Sequence, residues 1–388
     1  MRLIHTADWH LGRRLKGVDR NPEIEFALDA LLQEAINLEV DAVLVAGDIF
    51  DAPNPPADAE RAAYKFFCKL QEAGIPAIVI AGNHDSATRI DGVSNLLSLA
   101  GVHALGRVRL ANAGGVVAVR TNGGELRVGA LPFASERRML TAEELWSQSD
   151  VEQRQGYRST VGMLLKNLAG GFGDNSVNII MAHLALENAR LAHSEVPFYT
   201  RDTYALSEAM MPSEAQYVAL GHIHTPQEVK APAPTYYSGS LIQVDFGEAG
   251  EEKGYNLITV EPGRPAKVEF RLLPRSRTLR VVHCDSGDLE DVLAEHRADD
   301  HLYKVIVKLE APLVGLADRV RKACPNALQI EPRYPNAPEH AAPVIDPKGF
   351  SPIEAYQRFY AERVGGEPQA AVLETFAQLY EEMAHASA

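Results

Sequence analysis

The stretch DAVLVAGD, residues 41–48, is a continuous apolar run that stops at Gly47-Asp48. A run of that length fits a strand buried on both faces, as the strands of a parallel sheet are. The segment before it, PEIEFALDALLQEAINLEV (22–40), starts with a proline and lays Ile24, Leu28, Leu31, Leu32, Ala35 and Ile36 along one helical face. Beyond it, DAERAAYKFFCKLQEAG (58–74) reads as a second amphipathic helix ended by Gly74. IPAIVIAGNHD (75–85) reads as the next strand, and RLIHTAD (2–8) as a shorter one breaking into a polar turn. DGVSNLLSLAGV (91–102) adds a short apolar helix. Strand and helix alternate, which implies right-handed βαβ units and an α/β fold.

Further along, from about 105 to 273, strands dominate: SVNIIMAHL (176–184), QYVALGHIH (216–224), YNLITVE (255–261) and AKVEFRLL (266–273). Polar stretches at 135–160 and 187–215 are expected to hold helices and long loops. Residues 277–334 read strand, helix, strand, helix, strand, a small α+β module. Six prolines between 331 and 352 make a semi-rigid linker. Two short helices, PIEAYQRFYAERV (352–364) and PQAAVLETFAQLYEEM (368–383), close the chain around Gly365-Gly366.

Composition narrows the class. Apolar content of 46% and charged content of 23% are ordinary for a globular protein. A net charge of −14 argues against a surface coated with basic residues, yet phosphate binding needs only a few well-placed cations or metals. Cys68, Cys284 and Cys324 lie far apart without a C-x-x-C, which favours reduced thiols and a cytoplasmic protein. MRLIHTADWHLG carries Asp8 and His10 where a signal peptide would be apolar. No apolar run approaches the ~20 residues of a membrane span, so no membrane partner is expected.

The strand ends carry the chemistry. They deliver Asp8 and His10, Asp48, Asn83-His84-Asp85, His183, and His222 with His224. In α/β sheets the ligand crevice lies beyond the carboxyl ends of the strands, so all five ends are expected on one rim. His222 and His224 stand two residues apart, a spacing that sends both rings to one side of extended backbone. Oxygen and nitrogen donors without thiolate suit manganese, iron or zinc. Two such ions can clamp the attacking and leaving oxygens of a displacement at phosphorus, and Asp48 is the expected bridge. His84, backed by Asp85, stands beside the ligands as a catalytic group that stabilises charge or protonates the leaving oxygen.

The order D-x-H, G-D-x-x-D, G-N-H-D, H and G-H-x-H resembles the calcineurin-like metallophosphoesterase superfamily. The wording HTADWHLG, AGDIFD, AGNHDS, GHIH and YSGSLIQVDFGEAGEEKGY is similar to the SbcD-type family of bacterial nuclease subunits. The likeness is strong to about residue 273; beyond that it rests on order and size. One departure is Leu241, where many relatives carry proline.

The resemblance implies a four-layer α-β-β-α sandwich followed by a small α+β capping domain and a helix-loop-helix. The expected division is 1–274 nuclease domain, 275–334 capping and DNA-binding domain, 335–350 linker, and 351–388 ATPase-binding tail. It implies that Asp8, His10, Asp48 and His224 hold one metal and that Asp48, Asn83, His183 and His222 hold the second. Mn2+ is the expected ion, with Mg2+ second. It also implies an SbcC-type SMC-like ATPase as partner, double-stranded and hairpin DNA as substrate, and a homodimer within a heterotetramer.

Other residues follow from position. Arg13, Arg14 and Lys16 come directly after the first metal motif and are candidates for DNA phosphates. Leu96, Leu97 and Leu99 crowd a short helix and are the candidates for a dimer contact. Tyr356, Phe359, Tyr360, Phe376, Leu379 and Tyr380 form apolar stripes on the two tail helices, candidates for docking the ATPase. Among the remaining histidines, His5 is the one that could support the ligands from behind. The competing reading on the same fold is a small-molecule or cyclic-nucleotide phosphodiesterase or phosphatase. Against it, GDIFDAP lacks the arginine with which phosphoprotein phosphatases grip a monoester, and the chain runs 164 residues past the last metal motif.

Overall fold

The computed structural model describes residues 1–135, 150–192, 205–310, 313–334, 352–363, 368, 372, 373 and 376. The chain begins with β1 (Arg2–Thr6), the hairpin β2 (Arg14–Leu15) and β3 (Val18–Asp19), then α1 (Asn21–Asn37) and β4 (Ala42–Val45). It continues through α2 (Ala57–Glu72), β5 (Ala77–Ile80), α3 (Ala87–Leu99) and β6 (Val102–Leu105). Next come β7 (Val116–Thr121), β8 (Gly124–Leu131), α4 (Asp150–Ala169) and β9 (Val177–His183). Five more strands follow: β10 (Tyr217–Gly221), β11 (Gln227–Val229), β12 (Thr235–Tyr237), β13 (Gly254–Thr259) and β14 (Lys267–Leu272).

These strands form two six-stranded sheets, β14-β13-β1-β4-β5-β6 and β11-β12-β10-β9-β8-β7. In the first, β1, β4, β5 and β6 run parallel, and β13 joins β1 antiparallel. In the second, β8, β9, β10 and β12 run parallel. Alternation of side chains across each strand separates three apolar layers. Ile4, Val43, Val45 and Val79 face Leu28, Leu31, Phe66 and Phe67 of α1 and α2. Leu3, Leu44, Ile78 and Ile80 face Val128, Ile179, Met181 and Ala219 of the other sheet. Ile180, Ala182, Val218 and Leu220 face Tyr157, Val161, Leu165 and Leu168 of α4. The fold is therefore the four-layer α-β-β-α sandwich.

His5 lies between the sheets, not behind the metal ligands. Its Nδ1 meets Tyr217 Oη at 2.9 Å and its Nε2 meets Leu220 O at 3.1 Å, so it links β1 to β10. Burial pushes its imidazole down to about 3, which keeps it neutral.

The module follows as β15 (Leu279–Asp285), α5 (Leu289–Ala294), β16 (Leu302–Lys308), α6 (Leu316–Ala323) and β17 (Ala327–Arg333). Its strands form a sheet in the order β15-β16-β17. Leu279 and Leu302 pack with Leu15 of the hairpin and Phe246. Contacts divide the chain into two compact units, Met1–Pro332 and Arg333–Ala388. In the second unit, α7 (Pro352–Arg363) is the first tail helix, and the rings of Tyr356 and Phe376 stack 4.3 Å apart at 11°. Tyr360 is half-buried, while Leu379 and Tyr380 lie outside the described residues. Phe359 belongs to α7. Among the described residues, no helix is long and apolar enough to cross a membrane.

Candidate metal centre

The loops after β1 and β4 run side by side, with Asp8 N donating to Gly47 O at 3.0 Å and His10 N to Asp48 O at 3.1 Å. Their carboxyl ends meet those of β9 and β10 across the sandwich. Asp8, His10 and His224 bring donor atoms within 4.8 Å of one another, as do Asp8, Asp48 and His183, and also His10, Asp48 and His84. Asn83 joins through its Oδ1, 2.9 Å from His183 Nε2 and 2.8 Å from His222 Nδ1. All seven candidate ligands and His84 therefore converge on one cluster, to which both sheets contribute.

The backbone is strained where these side chains leave it. Asp8 (φ 53°), His10 (50°), Asp48 (50°) and His222 (95°) occupy the left-handed region that side-chain-bearing residues avoid. Such conformations cost about 1–3 kcal/mol each and persist where the surroundings over-determine them. Close approach is needed as well. A Cβ on Gly82 would lie 2.1 Å from Asp48 Oδ1, and one on Gly221 would lie 2.0 Å from Ala46 O.

The donor set is short of positive charge. His183 Nδ1 faces Ala46 O at 2.8 Å, so it must carry the proton. Its Nε2 then points at two oxygens, Asn83 Oδ1 and, at 3.5 Å, Asp48 Oδ2. Burial alone would depress the His183 imidazole, but Asp48 and Asp8 raise it to about 9. A cation is wanted between these groups, whether proton or metal. The second half repeats the pattern. His224 Nδ1 donates to Glu248 Oε1 at 2.9 Å, and His10 Nδ1 lies 3.2 Å from Asp51 Oδ1. The Glu248 bond leaves His224 Nε2 as an acceptor, and it lies 3.1 Å from His10 Nε2. Nitrogen and oxygen lone pairs converge with no sulfur, which fits divalent ions of the manganese or magnesium type.

Burial pushes Asp48 up, yet His183, His10 and His84 outweigh it and hold the carboxylate well below its usual range. His222 is pushed down to about 3 by burial and by His183. Both therefore present charge or lone pair, as ligands must. The His84 ring is held differently. Its Nδ1 donates to Asp51 O at 2.9 Å, which leaves Nε2 as its working nitrogen. Asp85 is not the partner of that ring. Its carboxylate takes the backbone N–H of Ile49, Phe50 and Gly82 at 3.2, 3.0 and 2.8 Å, tying the loop after β4 to that after β5. Burial and the neighbouring Asp48 raise it to about 6.

Residues 1–226 match the model of the calcineurin-like phosphoesterases. The D subunit of nuclease SbcCD from Bacillus subtilis is 31% identical, over 98% of this chain and 97% of its own. The chain belongs to the SbcD branch of the calcineurin-like phosphoesterase family. As a member it is a metal-dependent hydrolase. The Escherichia coli D subunit is 30% identical over 76% of this chain and 73% of its own. Residues 275–364 match the type 5 capsule protein repressor C-terminal domain. A dimetal phosphatase from Danio rerio aligns with 70% of this chain and 96% of its own, at 13% identity and a TM-score of 0.43.

Around the centre of this phosphoesterase, the weaker candidates divide. Arg13 is half-buried, pairing with Asp51 at 3.2 Å and Asp245 at 3.9 Å, whereas Arg14 and Lys16 are exposed on the hairpin. On α3, Leu96 is 69% and Leu99 81% exposed, while Leu97 packs against the α1–α2 layer. Sequence reasoning missed Glu248 and Lys253, a buried ion pair at 2.7 Å behind His224. It also missed Phe133, whose ring stacks on His222 at 6.2 Å and 27°. The only signal for the pair is the density of acids and one lysine in FGEAGEEK (246–253), between two glycine-containing turns.

Proposed function

We propose that this chain is a two-metal DNA phosphodiesterase, the nuclease subunit of an SbcCD-type complex that processes DNA ends and hairpins in repair and recombination. The observation that carries the reading is the convergence of buried carboxylates and imidazoles on one cluster, with Asp48 Oδ2 lying 3.9 Å from His10 Nε2 and 3.5 Å from His183 Nε2. Asp8, His10, Asp48 and His224 would hold one ion, and Asp48, Asn83, His183 and His222 the other. Mn2+ is the ion proposed. When bound, the pair would polarise a phosphate oxygen and activate water. His84 acts on the substrate: with Nδ1 pinned to Asp51 O, its Nε2 is the nitrogen that would serve the charged phosphorus centre or the leaving oxygen. Asp85 and Asp51 position the loops that carry Asp48, His10 and His84. A duplex is gripped beside the centre by Arg14 and Lys16, with the module of 275–334 as a further DNA surface. Two chains pair through the exposed face of α3, and the tail helices dock an SMC-like ATPase whose ATP cycle admits duplex DNA.

The test is manganese-dependent cleavage of blunt duplex and hairpin DNA beside bis-p-nitrophenyl phosphate, with and without the ATPase and ATP. The proposal expects slow cleavage of the small diester by the chain alone and ATP-stimulated cleavage of duplex DNA by the complex. Hydrolysis of monoesters or cyclic nucleotides with no action on DNA would favour the small-molecule reading.

A further inference from the structure

Glu248 lies wholly inside the protein, and both oxygens of its carboxylate are committed. Oε1 accepts the His224 Nδ1 proton at 2.9 Å. Oε2 accepts from Ser240 Oγ and Val244 N, each at 3.1 Å, and meets Lys253 Nζ at 2.7 Å. Lys253, equally buried, also donates to His224 O at 2.9 Å and to Glu251 Oε2 at 2.9 Å. The same ion pair thus grips His224 by ring and by backbone. The turn is braced from outside as well: Leu279 N donates to Gln243 Oε1 at 2.7 Å, and Phe246 packs with Leu15, Leu279 and Leu302. Burying two charges costs several kcal/mol each unless all their partners are present, and here they are.

We propose that Glu248 is a positioning residue of the metal centre: by taking the Nδ1 proton of His224, it fixes Nε2 as that ring's single donor and sets the affinity of the ion shared with Asp8 and His10. This rests on the two-metal reading above. A carboxylate behind an imidazole ligand fixes the tautomer and raises its basicity, and losing such a partner typically weakens metal binding about 10–100-fold. Its anchor on Gln243 and Phe246 makes the C-terminal module an outer brace of the same ligand.

Two measurements test this on the full chain. In the metal-free wild type, long-range 1H–15N spectra of labelled histidine should show His224 as the Nδ1–H tautomer; an Nε2–H tautomer would overturn the proposal. Manganese titration then compares two variants that both lack the buried charge pair. Glu248→Gln with Lys253→Met keeps an acceptor for Nδ1 and should bind two ions within about threefold of wild type. Glu248→Leu with Lys253→Met removes it and should hold one ion tightly, with the second weakened about 10–100-fold. Equal affinities in the two variants would contradict the role of Glu248. A wild type that itself binds fewer than two ions would instead contradict the two-metal reading.

Discussion

Asp48 and His84 stand side by side, with His84 N donating to Asp48 Oδ1 at 2.8 Å, yet their substitutions should separate. On the proposed two-metal reading Asp48 bridges the ions, so Asp48→Ala should lose both ions in equilibrium dialysis along with hydrolysis. His84→Gln leaves the seven proposed ligands whole. It should keep two ions per chain and lower turnover about 10²–10⁴-fold, the usual contribution of a placed acid or base. Because a metal held by the folded cluster binds the native state and not the unfolded chain, manganese at a hundredfold excess over its Kd should stabilise the chain by about 2.7 kcal/mol per site. Calorimetry with and without a chelator checks this as a rise in the unfolding midpoint.

Among the elements, α3 leaves Leu96 and Leu99 in solvent while Leu97 is drawn onto the core. If that face pairs two chains, Leu96→Glu combined with Leu99→Glu should give a monomer by light scattering at micromolar concentration, with manganese stoichiometry unchanged. A variant that remains a dimer would place the contact elsewhere. What the sequence disclosed at this scale follows from locality. DAVLVAGD and SVNIIMAHL are long apolar runs, and the residue that leaves such a strand is fixed by chain order, so the candidate ligands could be placed at their strand ends. Strand partners are non-local, which is why the rim turned out to be shared by two facing sheets instead of one. The three-residue strands β11 and β12 are too short for alternation to register. Glu248 reaches His224 only because a turn 24 residues later folds back behind it.

For the whole molecule, a net charge of −14 sits with a phosphate-binding reading because the demand for positive charge is confined to one cluster of carboxylates and imidazoles. The tail extends the same logic to partners. Tyr356 and Phe376 stack face to face. Helices this short are marginal in water and need a further surface to bury against. Tyr360→Glu combined with Phe376→Glu should abolish co-purification with the ATPase and ATP-dependent duplex cleavage, while two manganese ions still bind. Retention of the complex would show that the stripes serve the chain itself.

The claim on which the rest depends is a pair of ions joined through Asp48. Electron paramagnetic resonance of the manganese-loaded chain tests it most directly, because two Mn2+ ions sharing a carboxylate are exchange-coupled and isolated ions are not. The account predicts two ions per chain and a coupled spectrum, lost in Asp48→Ala and retained in His84→Gln. A single ion per chain, or two ions with the uncoupled spectrum of isolated Mn2+, would contradict it.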